Sequence, residues 1–127
     1  MTGVNDTRIT PRSSKRRGKD SRVPGEIEPQ QVPEKAQAGA FLLDVREPSE
    51  WAEGHIEGAT LIPLGHLAAR VSEIPTDREI VCICRSGARS GRAQAALEAS
   101  GRFGASYNMA GGMLRWVQRG LPVKKGQ

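Results

Sequence analysis

Val81-Cys82-Ile83-Cys84-Arg85-Ser86-Gly87-Ala88-Arg89-Ser90 is a short apolar strand that runs into a small turn carrying one glycine and two arginines. The alanine-rich stretch from Ala88 to Ser100 reads as the helix that follows, with Gly101 just past its end, where a left-handed residue stops a helix. Strand, tight turn and helix in this order aim several backbone N–H groups and a helix N-terminus at one side chain, that of Cys84. Those partial positive charges, with Arg85 and Arg89 nearby, are expected to lower the thiol pKa and make Cys84 a nucleophilic thiolate. Gly87 supplies a backbone conformation that such a turn demands.

Outward from this stretch the same alternation repeats. Glu79 to Ile83 is the strand that feeds Cys84, and Leu67, Arg70, Val71 and Ile74 are spaced as an amphipathic helix that Pro75 closes. Ala59 to Leu64 reads as another strand, and Gly54 and Gly58 bracket a turn before it. Arg46-Glu47-Pro48-Ser49-Glu50-Trp51 places proline and acids where a helix begins. Ala40-Phe41-Leu42-Leu43-Asp44-Val45 is nearly continuously apolar, as a strand buried on both faces of a parallel sheet must be. Glu26 to Val32 predicts a short first strand, and Pro33 to Ala38 a helical turn.

On the other side, Ala105-Ser106-Tyr107 predicts a last short strand. Gly111-Gly112 then loosens the chain before a final helix, in which Met113, Trp116 and Val117 share a face and which Gly120 and Pro122 end. Strands alternating with helices across short loops predict an α/β fold: a central parallel sheet of about five strands flanked by helices on both faces. Cys84 then lies at the carboxyl end of its strand, where such sheets place their sites.

The 127 residues allow one domain, expected over 23–123, with tails at 1–22 and 124–127. The charge is unevenly placed. Residues 1–22 carry seven Lys and Arg against two Asp, which accounts for the whole net charge of +5. Residues 23–127 therefore carry no net charge, and the chain's basic balance says nothing of a nucleic-acid partner for the domain. The basic tail is poor in large apolar residues and is expected to be disordered. Ser13-Ser14-Lys15-Arg16-Arg17-Gly18-Lys19 suits non-specific contact with nucleic acid or anionic lipid, but no aromatic residue interleaves to form a stacking platform. No run of the chain approaches a membrane span. The two cysteines sit two residues apart, too close for a relaxed disulfide, and with only His55 and His66 elsewhere they make no structural zinc spacing. No metal and no cofactor is expected, and a reducing, cytoplasmic compartment suits free thiols best.

Three segments together resemble the single-domain rhodanese-like sulfurtransferases. They are Leu43-Asp44-Val45-Arg46-Glu47-Pro48-Ser49-Glu50-Trp51 with Gly54-His55-Ile56-Glu57-Gly58-Ala59; Cys84-Arg85-Ser86-Gly87-Ala88-Arg89-Ser90; and Gly111-Gly112-Met113-Leu114-Arg115-Trp116 with Gly120-Leu121-Pro122-Val123. The likeness covers roughly Glu26 to Val123 and leaves the basic tail outside. It implies that the Cys84 thiolate takes the outer sulfur of thiosulfate or a persulfide, holds it as a persulfide in the bowl of amides from Arg85 to Ser90, and passes it to a thiol or, in a test tube, to cyanide. The partners implied are a small sulfur donor, a thiol acceptor and, as an option, an acceptor protein.

Two alternatives stay open beside this reading: a non-enzymatic rhodanese-like module that binds a partner, and a dedicated persulfide carrier for one partner protein. Cysteine phosphatases and arsenate reductases are the outside case. The resemblance implies a five-residue gap between cysteine and arginine for a phosphate-ringing loop, and only four residues separate Cys84 from Arg89. Among the other polar residues, Cys82 reads as a buried core thiol and His55 as structural, while His66 is placed on a helix surface. Asp44 and Arg46 read as a charge-assisted tie between loops. Trp116 and Met113 read as core, with the Gly111-Gly112 bend able to bring Met113 towards the mouth of the site.

Overall fold

Ile80–Ile83 forms a strand whose four residues are all buried, and the sheet is built around it. In the computed structural model, which describes residues 25–127, five strands run parallel. They are β1 (Glu26–Ile27), β2 (Phe41–Asp44), β3 (Thr60–Leu61), β4 (Ile80–Ile83) and β5 (Ser106–Met109), in the order β1-β5-β4-β2-β3. The helices are α1 (Val32–Gln37), α2 (Pro48–Glu53), α3 (Ala88–Ser100) and α4 (Gly112–Gln118). The basic segment 1–22 lies outside the described residues.

The pleat of β4 sorts the core into two layers. Ile80, Cys82 and, just past the strand, Cys84 pack with Leu43, Val45, Ile62, Leu67, Ile74 and with Ala93 and Leu97 of α3. Val81 and Ile83 point the other way, to Leu42, Ile27, Val32 of α1, Met109, and Met113 and Trp116 of α4. Alternate residues of a strand face opposite sides, so a strand covered on both must be apolar throughout. The two-sided burial expected of residues 40–45 is found as well: Leu43 and Val45 lie in the first layer and Leu42 in the second. Ala93 is one of the small residues that let α3 lie close to the sheet, with Ser90 and Leu97 beside it on the buried face.

The connection from β2 leads outward to β3, whereas the connection from β4 leads the opposite way to β5. β2 and β4 are adjacent, with Asp44 in register with Ile83. Chain leaving two neighbouring strands in opposite directions opens a crevice at their carboxyl ends. The loops after Asp44 and after Ile83 flank that crevice, and Cys84 is the first residue of the second.

Four expected elements differ in detail. The helix predicted across Leu67 to Ile74 is instead two 3-10 turns, Leu64–His66 and Val71–Glu73. Leu67 and Ile74 are buried as the spacing requires, but the bonds Leu67 N to Leu64 O and Ile74 N to Val71 O close over three residues. A segment this short between Pro63 and Pro75 gains little from α-helical propagation. His66 is exposed in a 3-10 turn rather than on a helix. β1 stops at Ile27 because Pro29, which has no N–H, opens a 3-10 turn over Pro29–Gln31. β3 has two residues before Pro63. β5 runs to Met109, two residues beyond the predicted end, and so includes Asn108.

Beyond Val123 the chain stays bonded to the fold: Lys124 exchanges two backbone hydrogen bonds with His55, at 2.8 and 2.9 Å, and Gly126 N donates to Ala52 O at 2.8 Å.

Candidate active site

Cys84 leaves the sheet at the end of β4 and its side chain has no exposed surface. The chain then turns through Arg85, Ser86 and Gly87 into α3. Gly87, the residue before the helix, has φ +106°, in the region that costs an L side chain roughly 1 kcal/mol or more. The expected demand on this glycine is therefore met. Its N–H donates to Cys84 Sγ at 3.0 Å, and the Ser90 hydroxyl lies 3.2 Å from the same sulfur.

Burial, the largest single influence on the thiol, pushes its pKa up. The Ser90 hydroxyl and the amides of Ser90, Gly87 and Ser86 together outweigh it, and the thiol is held below the usual range. The expected cradle is present. The source of its effect differs in one respect from the sequence expectation, which counted Arg85 and Arg89 as local positive field. Arg89 is tied to Glu50 through two parallel bonds of 2.8 Å each. Its charge still feels the sulfur, but the pair is locally neutral, and the anion is stabilised chiefly by the hydroxyl and the amides. Arg85 is exposed, with no partner for its guanidinium among the described residues, and Ser86 and Ala88 are exposed beside it. Ser90 is fully buried.

The loop is fastened from three sides. From α4, Met113 N donates to Cys84 O at 2.8 Å and Leu114 N to Arg85 O at 3.0 Å. This close approach needs Gly112, since a Cβ there would overlap the Cys84 and Arg85 carbonyls. Met113 itself turns into the core beside Val81 and Ile83 rather than towards the mouth. From β5, Asn108 Nδ2 donates to Gly87 O at 2.9 Å, and its Oδ1 lies 2.5 Å from Ser90 Oγ. From the β2 side comes Glu50, whose carboxyl the Arg89 guanidinium holds at a pKa of about 2.

Glu50 is itself positioned by a buried ion pair. Asp44 at the end of β2 accepts three side-chain bonds from Arg46, at 2.8 to 3.1 Å. Arg46 also donates to the carbonyls of Glu50 and Gly54. The Asp44–Arg46 tie expected from the residue types thus also holds the middle of α2 and the Gly54 that follows it. His55 is structural as expected: its ring stacks on Trp51 with centroids 3.7 Å apart, and Nδ1 donates to Trp51 O at 2.8 Å. Cys82 is wholly buried, and burial pushes its thiol up to about 12. Trp116 is core, with its indole N–H on Pro122 O at 2.9 Å.

Of the loop residues named from the sequence, Ser86, Gly87 and Ser90 bear on the Cys84 sulfur directly, while Arg85 and Ala88 are exposed and Arg89 turns to Glu50. Two that matter as much, Glu50 and Asn108, were assigned no role from the sequence. Asn108 stands just past the predicted end of the last strand, so the sequence carries no signal for it. For Glu50 there was none either, because α2 accounts for it locally as a capping acid, its Oε1 accepting Glu47 N–H at 2.9 Å.

The arrangement suits a nucleophile that must hold a single extra sulfur. The Cys84 sulfur is buried under the loop, with amide donors on it and Arg85, a cation without a partner among the described residues, at the rim. A slender terminal sulfur can approach such an atom end-on, whereas a tetrahedral phosphoryl group needs a wider ring of donors.

Comparison with known proteins agrees with this geometry. Residues 28–119 match the family model of the rhodanese-like domain. A sulfurtransferase of Allochromatium vinosum is 45% identical over 83 residues, which cover 65% of this chain and 77% of that protein. A putative sulfur carrier protein of Bacillus subtilis is 40% identical over 76 residues, covering 60% of this chain but only 40% of that one. Among solved structures, a rhodanese-related protein from Thermoplasma volcanium superposes with a TM-score of 0.72 at 30% identity, covering 78% of this chain and 96% of its own.

Proposed function

This chain belongs to the rhodanese-like sulfurtransferase family, and from that premise we propose that Cys84 carries sulfane sulfur as a persulfide between a small donor and a thiol acceptor. The Cys84 thiolate attacks the outer sulfur of thiosulfate or of a persulfide. The new Cys84 S–S bond forms as the donor's own bond to that sulfur breaks, and sulfite or a thiolate leaves with the bonding electrons. An acceptor thiolate, or cyanide, then attacks the outer sulfur of the persulfide, and the Cys84 thiolate leaves. No net oxidation accompanies either step. Arg85, Ser86, Gly87, Ala88, Arg89 and Ser90 form the binding loop, in which amide N–H groups and the Ser90 hydroxyl stabilise the sulfur anion.

The observation that carries this reading is the fully buried Cys84 sulfur with the Gly87 N–H at 3.0 Å and the Ser90 hydroxyl at 3.2 Å. The test is an intact mass after incubation with thiosulfate and removal of excess donor. We expect a gain of one sulfur atom that cyanide removes and that Cys84→Ser abolishes. Absence of an adduct with every sulfane donor tried, thiosulfate and small persulfides included, overturns the reading.

The acceptor is a thiol, small or on a partner protein. The likeness to a putative sulfur carrier favours counting a protein acceptor among the possibilities. We place the chemistry in a reducing, cytoplasm-like compartment, since it needs Cys84 as a free thiol and both cysteines are unpaired. No helix among the described residues is long and apolar enough to cross a membrane.

A further inference from the structure

Asn108 lies in β5, buried to 7% exposure, in register with Cys82 of β4. It sits under the start of α3. Gly91, in the first turn of α3, lies against it: a Cβ there would stand in ordinary contact with Asn108 Nδ2, at 3.4 Å. Both ends of the amide are engaged. Nδ2 donates to Gly87 O at 2.9 Å. A carbonyl can only accept, so the amide cannot be flipped, and Oδ1 must face Ser90 Oγ at 2.5 Å.

The Ser90 hydroxyl has one proton and two acceptors within reach, Asn108 Oδ1 at 2.5 Å and Cys84 Sγ at 3.2 Å. With Cys84 protonated, every group is satisfied: the S–H donates to Ser90 Oγ, and the Ser90 O–H donates to Oδ1. When the sulfur becomes an anion it donates nothing, and the two acceptors compete for the Ser90 proton. If the proton turns to the sulfur, Oδ1 is left bare in a buried position, and a buried acceptor without a donor carries a cost.

We propose that Asn108 is a positioning residue for sulfur transfer. By competing for the Ser90 proton it limits how strongly that hydroxyl stabilises the sulfur anion, and so trims the balance between Cys84 as nucleophile and Cys84 as leaving group. A thiolate that is stabilised more leaves more readily but attacks less well, so the hydroxyl's grip on the sulfur bears on both half-reactions. The inference builds on the proposed role of Cys84, but its central claim concerns the ionisation of the thiol and is read without any sulfur donor.

Of the other charged or titratable groups nearby, Cys82 on β4 and Arg89 on α3 couple to Cys84. Arg85 is next to it in the loop, Glu50 on α2 pairs with Arg89, and the Asp44–Arg46 pair stands at the end of the neighbouring strand β2. All are unchanged in variants at Asn108 and Ser90, so their influence is common to every protein compared.

The experiment measures Cys84 ionisation from thiolate ultraviolet absorbance and from the pH dependence of alkylation, with circular dichroism as the folding control. Asn108→Leu removes the competing acceptor at similar size, and the ionisation midpoint is expected to fall by about half a pH unit or more. Ser90→Ala is expected to raise it, and the effect of Asn108→Leu is expected to vanish in the Ser90→Ala background. A midpoint that rises or stays still in folded Asn108→Leu, or falls equally without Ser90, overturns the proposal. If the leucine variant does not fold, the wild-type protein still decides. The side-chain carbonyl-carbon NMR resonance of Asn108 is expected to titrate with Cys84 and to lose that response in Ser90→Ala. A resonance that ignores Cys84, or that responds equally without the hydroxyl, overturns it. Failure of the sulfur adduct to form would instead strike the proposed function and leave these measurements standing.

Discussion

Glu50 and Arg89, 39 residues apart, face each other through two parallel N–H···O bonds of 2.8 Å. The pair joins the helix after β2 to the helix after β4 across the crevice where the two connections part. It fixes the far end of the cysteine loop, and it commits Arg89 to the protein rather than to a substrate. Among the described residues, Arg85 is thereby left as the cation at the rim free to attract an anionic donor.

Removing that pair by Glu50→Gln is expected to destabilise the fold by about 1 kcal/mol, the upper range for a partly exposed ion pair of good geometry. The Glu50 pKa is lowered from 4.5 to about 2 in the folded protein. Its contribution is therefore fully present above the unfolded value and is lost as pH falls through the folded one. Urea denaturation across this acid range is expected to show a shallower loss of stability in Glu50→Gln than in the wild type. Parallel curves would mean that the pair stabilises nothing.

Arg85→Ala is expected to lower kcat/KM for thiosulfate, a dianion, by about three- to tenfold, the worth of roughly 1 kcal/mol of exposed charge attraction. For an uncharged persulfide donor the change is expected to be much smaller. Added salt should narrow the gap between the two donors. Equal losses would show that Arg85 shapes the turn instead.

The lowered Cys84 pKa places the midpoint of alkylation below the range of a free thiol, about 8.5. A group depressed by folding adds stability above its unfolded pKa, and that addition is lost as pH falls through the folded value. Ser90→Ala is expected to raise the midpoint and to slow adduct formation at neutral pH by roughly tenfold, the worth of one charge-assisted hydrogen bond. Cys82, with its thiol pushed up to about 12, is expected to stay unmodified in the native protein, which peptide mass mapping checks.

Arg46→Ala leaves the carboxylate of Asp44, which is wholly buried, without its partner. A buried charge stripped of its counter-ion costs about 3–5 kcal/mol. Urea midpoints are expected to drop accordingly, with the Glu50 end of α2 loosened from Arg46. A change within about 0.5 kcal/mol would contradict the scaffold role assigned to this pair.

Much of this molecule was legible in short stretches of sequence. The apolar run ending at Ile83, Gly87 in the turn and the alanine-rich stretch after it placed β4, the loop and α3 almost to the residue. The Leu67–Ile74 segment shows how such reading goes astray. Its apolar spacing identified the buried positions correctly, yet a period of three to four residues does not distinguish an α-helix from linked 3-10 turns when prolines stand at both ends. β5 was cut short for a related reason: Asn108 interrupts the apolar pattern, because it serves the loop as well as the sheet.

What the sequence by itself determined is the local chemistry: a cysteine delivered by a buried strand into an amide-rich turn at a helix N-terminus. These features depend on neighbours within a few residues, where hydrophobic period and turn preferences act. Tertiary structure alone decided which groups surround that turn. Glu50 reaches Arg89, and Asn108 reaches Ser90, because a parallel sheet sets strands side by side that long crossovers separate along the chain. Partners chosen by strand order and register leave no short-range pattern. The arginine that looked like part of the thiolate's field is therefore an anchor in the folded molecule, and the sulfur relies on a serine and three amides.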